Sequence, residues 1–172
     1  MSFLGKLFGR KDDDRAVARP LWHRTVEIAR EKEWYRDCGV ADTVAGRFDM
    51  ITLILAIVLI RMERDAELIE PSVRLTELFV DDMDGQLRES GVGDLVVGKR
   101  MGKLMSVLGG RLGAYREGLK SSDEAVMAEA VARNVSLHES TDPLLVARRA
   151  RAFATGLDLV PAYRVLDAEI GK

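Results

Sequence analysis

The chain has 172 residues, 47% hydrophobic and 31% charged, with a net charge of -2 and an isoelectric point of about 5.8. That is one ordinary soluble domain, able to bury about two thirds of its unfolded surface without staples, and too acidic for a dedicated DNA binder, although a local basic patch stays open. A single cysteine, Cys38, excludes an internal disulfide framework and a multi-cysteine zinc site, and the distant histidines His23 and His138 offer little for metal ligation.

The first residues, MSFLGKLFGRK, place Phe3, Leu4, Leu7 and Phe8 on one helical face, with Lys6 and Arg10 pointing away. The apolar part is too short for a secretory signal, and no small-residue cleavage site follows. It is a candidate interfacial membrane anchor; the competing readings are a frayed terminus or a segment docked on the body. Asp12, Asp13 and Asp14 then read as a hinge. Residues 1–15 are thus expected to form an amphipathic segment with an acidic hinge, and 16–172 the helical domain.

Pro20 opens a helix expected to run to about Asp37 and carry Trp22, Val26, Ile28, Trp34 and Tyr35, with Gly39 ending it. A second helix runs from about Asp42 to Arg64. From Met50 to Ile60, MITLILAIVLI, it is apolar all round, too short for the ~20 residues of a membrane span, and so central in a bundle. Pro71 opens a third helix through Leu75, Leu78, Phe79 and Leu87, stopped by Gly91. Asp94 caps a fourth, and Ser121 with Glu124 makes a capping box for a fifth. Asp142 and Pro143 start a sixth that Gly156 closes, and a short last helix covers Pro161 to Ile170. No run alternates with period two long enough to demand a sheet. The expected fold is all-α, a single compact bundle of six to seven helices.

The fourth helix carries two stripes. Val97, Met101, Leu104, Met105, Leu108, Leu112, Tyr115 and Leu119 recur at helical spacing and read as core. Gly98, Gly102, Ser106, Gly109 and Gly113 form a second, small-residue stripe. Each glycine costs about 0.8–1.0 kcal/mol relative to alanine in a helix, so something should offset it. Small residues spaced by three let another helix approach closely. That helix is either a neighbour in the same bundle or a partner docked from outside, with Lys99 and Lys103 beside the face to hold acidic or phospholipid groups.

In the third helix, Asp81, Asp84, Glu77, Arg74 and Arg88 lie on one polar side and read as a solvated, ion-paired face. Asp82 falls between the directions of Leu75 and Leu78. It is expected to be at least half buried and held by a basic side chain or backbone N–H groups. No histidine supports a metal cluster there, and no metal or cofactor is expected.

Gly93-Asp-Leu-Val-Val-Gly98-Lys99 has P-loop spacing, but Arg100 stands where magnesium needs Ser or Thr, and a helix rather than a strand precedes it. Neither histidine sits in a catalytic signature with Cys38. Two further classes stay open: a small helical ligand- or cofactor-binding protein or enzyme with a pocket beside Asp82, and an RNA- or ribosome-binding protein. The latter would use the basic excess from Asp94 to Lys120 (Lys99, Arg100, Lys103, Arg111, Arg116 and Lys120) and the cluster Arg148, Arg149 and Arg151.

The run LFVDDMDGQLRESGVGDLVVGKRMGKL, from Leu78 onward, resembles the ubiquinol–cytochrome c chaperone family. The block carrying the likeness has an aromatic, D-x-MD, LRE, GVGD, a GK-R-M helix and a GR-x-x-AY ending. Here these are Phe79, Asp82, Met83, Asp84, Leu87, Arg88, Glu89, Gly91, Val92, Gly93, Asp94, Gly98, Lys99, Arg100, Met101, Gly110, Arg111, Ala114 and Tyr115. Trp34 and Tyr35 correspond to an early aromatic pair, and the likeness spans roughly Leu21 to Gly156. Gly109 departs from the family, standing where it has an aromatic.

The resemblance implies a non-enzymatic assembly chaperone of the cytochrome bc respiratory complex that binds newly made cytochrome b; mitochondrial members of the family also act with a small assembly partner and associate with the ribosome, and for this chain ribosome association stays open. A start without an Arg/Ser-rich transit segment implies a bacterial member, cytoplasmic and peripheral to the inner membrane. Partner binding would fall on Asp82, Asp84, Arg88, Asp94, Gly98, Lys99, Gly102, Lys103, Gly109 and Gly113. An apolar client helix needs shielding, and a small-residue face with adjacent lysines supplies close packing and orientation.

Overall fold

The computed structural model describes residues 15–89 and 97–171, and side chains outside 86–101. The elements are α1 (Arg19–Ala29), α2 (Lys32–Arg36), α3 (Val44–Met62), a 3-10 turn (Ala66–Leu68), α4 (Ile69–Glu89), α5 (Val97–Lys120), α6 (Glu124–Asn134), α7 (Pro143–Asp158) and α8 (Ala162–Leu166). No strand occurs among the described residues; an isolated antiparallel bridge joins Val40 and Leu137. The all-α expectation is met. Phe3, Leu4, Leu7, Phe8, the aspartate hinge, Gly91, Gly93 and Asp94 lie outside the described residues.

The architecture is a hub with helices around it. Every residue of α3 from Asp49 to Met62 is buried, because an all-round apolar helix is stable only when covered on every side. α1, α5 and α7 pack on it. α6 bridges α5 and α7, while α4 lies against α1 and α5.

Local chemistry moves several helix ends. The helix expected from Pro20 to Asp37 breaks at Glu31, whose backbone is extended (φ -56°, ψ 133°). Two aromatics from the second piece replace the lost helical bonds: Trp34 Nε1 donates to the Ile28 carbonyl at 2.8 Å and Tyr35 Oη to the Ala29 carbonyl at 2.9 Å. Arg149 then stacks on Trp34, its guanidinium 4.7 Å from the ring centroid, and pairs with Glu31 at 2.8 Å.

At the start of α6 the cap is Asp123, whose carboxylate accepts from Ala125 N at 2.9 Å. Ser121 accepts from Asp123 N instead, so the expected Ser121–Glu124 box does not form, and Glu124 pairs with Arg148. Asp142 caps α7 as expected, accepting from Leu144 N, with Pro143 in the first turn.

Gly39 turns the chain with φ +72°, and a Cβ there would meet Thr141 Cγ2 at 2.5 Å. Beyond it Ala41 N donates to Ser136 O and His138 N to Gly39 O, both at 2.9 Å. This short pairing delivers Ser136 to the start of α3.

Candidate functional site

α5 is anchored on one side and open on the other. Leu104, Leu108 and Tyr115 are buried, and Leu112 and Leu119 are half buried against the core. Met105 departs from the expected apolar stripe: it is 46% exposed, at the edge of the small-residue face. Gly102, Ser106, Gly109 and Gly110 are exposed and Gly113 is half buried. Among the described residues, nothing lies within 4 Å of a Cβ built on Gly102, Gly109, Gly110 or Gly113. Of the two readings of this stripe, a neighbour within the bundle is not found among the described residues.

The anchoring side is a buried polar node. Asp49, 6% exposed, accepts from Ser136 N at 3.0 Å and from Ser136 Oγ at 2.7 Å, and its other oxygen pairs with Arg111 Nη2 at 2.7 Å. The Arg111 guanidinium lies 5.4 Å from the Phe48 ring centroid. Phe48 also meets Phe79, at 6.3 Å between centroids, and Phe79 packs edge-on to Trp22 at 6.1 Å. A buried charge is tolerated only when paired and hydrogen-bonded. Asp49, with two donors from Ser136 and one from Arg111, meets that condition. Tyr115 sits one turn on from Arg111 with its ring fully buried, and burial pushes its phenol well above the ordinary tyrosine value. At 100° per residue, Arg111 lies about 140–200° around α5 from Gly102, Ser106, Gly109 and Gly113. The node therefore grips the helix from behind and presents the glycine face outward.

The acids of α4 differ from expectation. Asp82 is exposed and Asp84 is buried, 8% accessible. The buried face of α4 runs from Leu75 and Phe79 through Met83 to Val80, and Asp84, one turn on from Val80, falls on that side, while Asp82 lies on the opposite flank. Leu78, used to place Asp82, is only half buried. Asp81 and Glu77 do form a polar face, pairing with Arg15 at 2.6 and 3.2 Å. Arg88, Gly98 and Lys99 have no described side-chain surroundings, and Asp94 lies outside the described residues. Gly102, Lys103, Gly109 and Gly113 share α5, with Lys103 exposed beside the open face. Asp49 and Ser136 were not recognisable as site-forming residues. Their one signal is a lone carboxylate at the edge of the MITLILAIVLI run.

The arginine cluster of α7 is occupied inside the protein. Arg148 pairs with Glu124, Arg149 with Glu31, and Arg151 donates to the carbonyls of Gly118 and Ser121. Cys38 is buried, and burial raises its thiol pKa, the opposite of an activated nucleophile. No group of three or more His, Cys, Asp or Glu able to hold a metal occurs among the described residues. No described helix is long and apolar enough to cross a membrane.

Architecture and face together define an all-α protein built round one buried helix, with a second, long helix held from behind and not covered along its glycine stripe by the described residues. The chain belongs to the ubiquinol–cytochrome c chaperone family, whose model matches residues 36–164. That match starts after the Trp34–Tyr35 pair and runs past Gly156, a span shifted toward the C terminus relative to the sequence resemblance. The structure is similar to the crystal structure of the Cbp3 homolog from Brucella abortus, with a TM-score of 0.82 and 29% identity, over 98% of this chain and 96% of that chain. Comparison with curated proteins found no match.

Proposed function

We propose that the chain is a non-enzymatic chaperone for assembly of the ubiquinol–cytochrome c reductase complex, and that it holds a transmembrane segment of cytochrome b on the glycine face of α5. Family membership supports the first part. The second rests on the open space above Gly102, Gly109, Gly110 and Gly113. A helix that keeps so many glycines without packing from the described residues forfeits roughly 0.8–1.0 kcal/mol at each. Close approach of a client helix offsets that loss, since membrane helices associate through small residues. Exposed Met105 adds a deformable apolar contact at the edge, and Lys103 a charge that orients the client's polar flank. The protein would work at the cytoplasmic surface of the inner membrane, with Phe3, Leu4, Leu7 and Phe8 of segment 1–15 as its membrane contact.

The test is a pull-down of cytochrome b from membranes solubilised in mild detergent, comparing wild type with Gly102→Leu. The substitution meets no neighbour in the described protein and improves helix propensity, so the variant stays folded. Cytochrome b recovered with wild type and lost with the variant is the expected result. Equal recovery with both moves the client elsewhere. Flotation with liposomes tests the terminus: removing residues 1–11 should weaken it, and unchanged flotation rejects the anchor.

A further inference from the structure

Two cation-lined clefts lie away from the glycine face, and they differ in what their charges are doing. The first, about 410 Å³, opens where α3, α5 and α7 end. Its arginines are committed. Arg61 and Arg151 donate to carbonyls at the C-terminal ends of α7 and α5, while Arg64 pairs with Asp158 and Arg116 with Glu63. These arginines offset the partial negative charge of helix C-termini and make no ligand site.

The second cleft, about 640 Å³, lies between α1, α2, the start of α3 and the segment after α6. Arg30, Lys32, Arg36 and Arg47 line it with His138, against one carboxylate, Asp42. Two cations are paired, Arg36 with Asp37 and Arg47 with Asp42, both at 2.7 Å. Arg30, Lys32 and His138 are exposed, and their side chains have no hydrogen-bond or ion-pair partner among the described residues. The Tyr35 ring forms a fixed wall, because its hydroxyl is held by the Ala29 carbonyl. The positive charge left unneutralised by Arg30 and Lys32, beside His138 and a fixed aromatic wall, suits an anion with several acceptor oxygens pointing in different directions. A tetrahedral phosphoryl group has that geometry, and guanidinium and ammonium groups bind it by charge-assisted hydrogen bonds. The cleft also has the volume for an organic group attached to the phosphate.

We propose that this cleft is a phosphoryl-binding site, occupied by the headgroup of an anionic phospholipid or by a free phosphate. The test uses the full chain at fixed ionic strength. Inorganic pyrophosphate is titrated calorimetrically, and sedimentation is measured with phosphatidylglycerol–phosphatidylcholine vesicles and with phosphatidylcholine vesicles. Wild type is compared with Arg30→Glu/Lys32→Glu and with Lys120→Glu, a lysine of the other cleft, after thermal transitions confirm folding. The double variant should bind pyrophosphate at least about tenfold more weakly, and Lys120→Glu should bind like wild type. Sedimentation with phosphatidylglycerol vesicles that pyrophosphate abolishes assigns the site to a lipid headgroup; pyrophosphate binding without vesicle binding assigns it to free phosphate. Wild type that binds neither probe, a double variant that binds like wild type, or an equal loss in Lys120→Glu overturns the proposal. So does binding confined to RNA and unaffected by pyrophosphate.

Discussion

α5 contains two kinds of glycine, and the contrast between them separates folding from function. At Gly118 the helix touches α6 so closely that a Cβ would lie 2.7 Å from Met127 Sδ and 2.8 Å from Met127 Cα. The missing side chain is what lets the two helices meet, and the helix-propensity cost is offset inside the fold. At Gly102, Gly109, Gly110 and Gly113, a Cβ would meet nothing among the described residues within 4 Å. The same propensity cost has no compensation from the described residues there. One helix thus carries a glycine needed to build the protein and a row of glycines that packing among the described residues does not require.

The largest predicted effect concerns what holds α5 in place. Arg111→Ala leaves the Asp49 carboxylate buried without its cation, and loss of one partner of a buried pair costs about 3–5 kcal/mol. Chemical denaturation measures it, and a loss below about 1 kcal/mol would mean that the node does not anchor the helix. Next comes Gly118→Ala. The clash includes the Met127 backbone, so overpacking should cost about 1–3 kcal/mol. Gly109→Ala should have the opposite sign, stabilising by roughly 0.5–1 kcal/mol, because its Cβ would project into open space. If the two alanines shift the thermal transition in the same direction, the distinction between the two kinds of glycine fails.

The smallest effect is a pH dependence at the N-terminal edge of the domain. Burial pushes the Glu77 carboxyl up, but its hydrogen bonds from Arg74 and Arg15 outweigh that and hold it below its ordinary 4.5. A depressed folded value means that the unfolded chain takes up the proton first as pH falls. The contribution is therefore present above about pH 4.5 and is lost as pH drops through the lower folded value. Both partners are partly exposed, so its size is under about 1 kcal/mol. Stability curves of wild type and Glu77→Gln should converge on acidification and separate slightly above pH 5; a gap that widens as pH falls contradicts the sign.

The bundle is legible in the sequence because its signals are periodic and local. The all-round apolar run of α3 demands a central position, and Asp142–Pro143 starts α7 through a bond to a residue two positions away. The site is less legible because it depends on relations between distant segments. Asp49, Arg111 and Ser136 meet only after three helices have packed. Asp82 and Asp84 are two residues apart, and which of them is buried depends on which flank of α4 the neighbouring helices cover, the Val80 side being the buried one. The glycine stripe is visible as a pattern, but the sequence looks the same whether a neighbour covers it or solvent does.

The most direct test of the central claim is site-specific photo-crosslinking in membranes synthesising cytochrome b, with the probe at Ser106 on the open face or at Ala132 on the exposed side of α6. The account predicts a cytochrome b adduct from Ser106 and none from Ala132. No adduct from Ser106, or equal adducts from both positions, would contradict it.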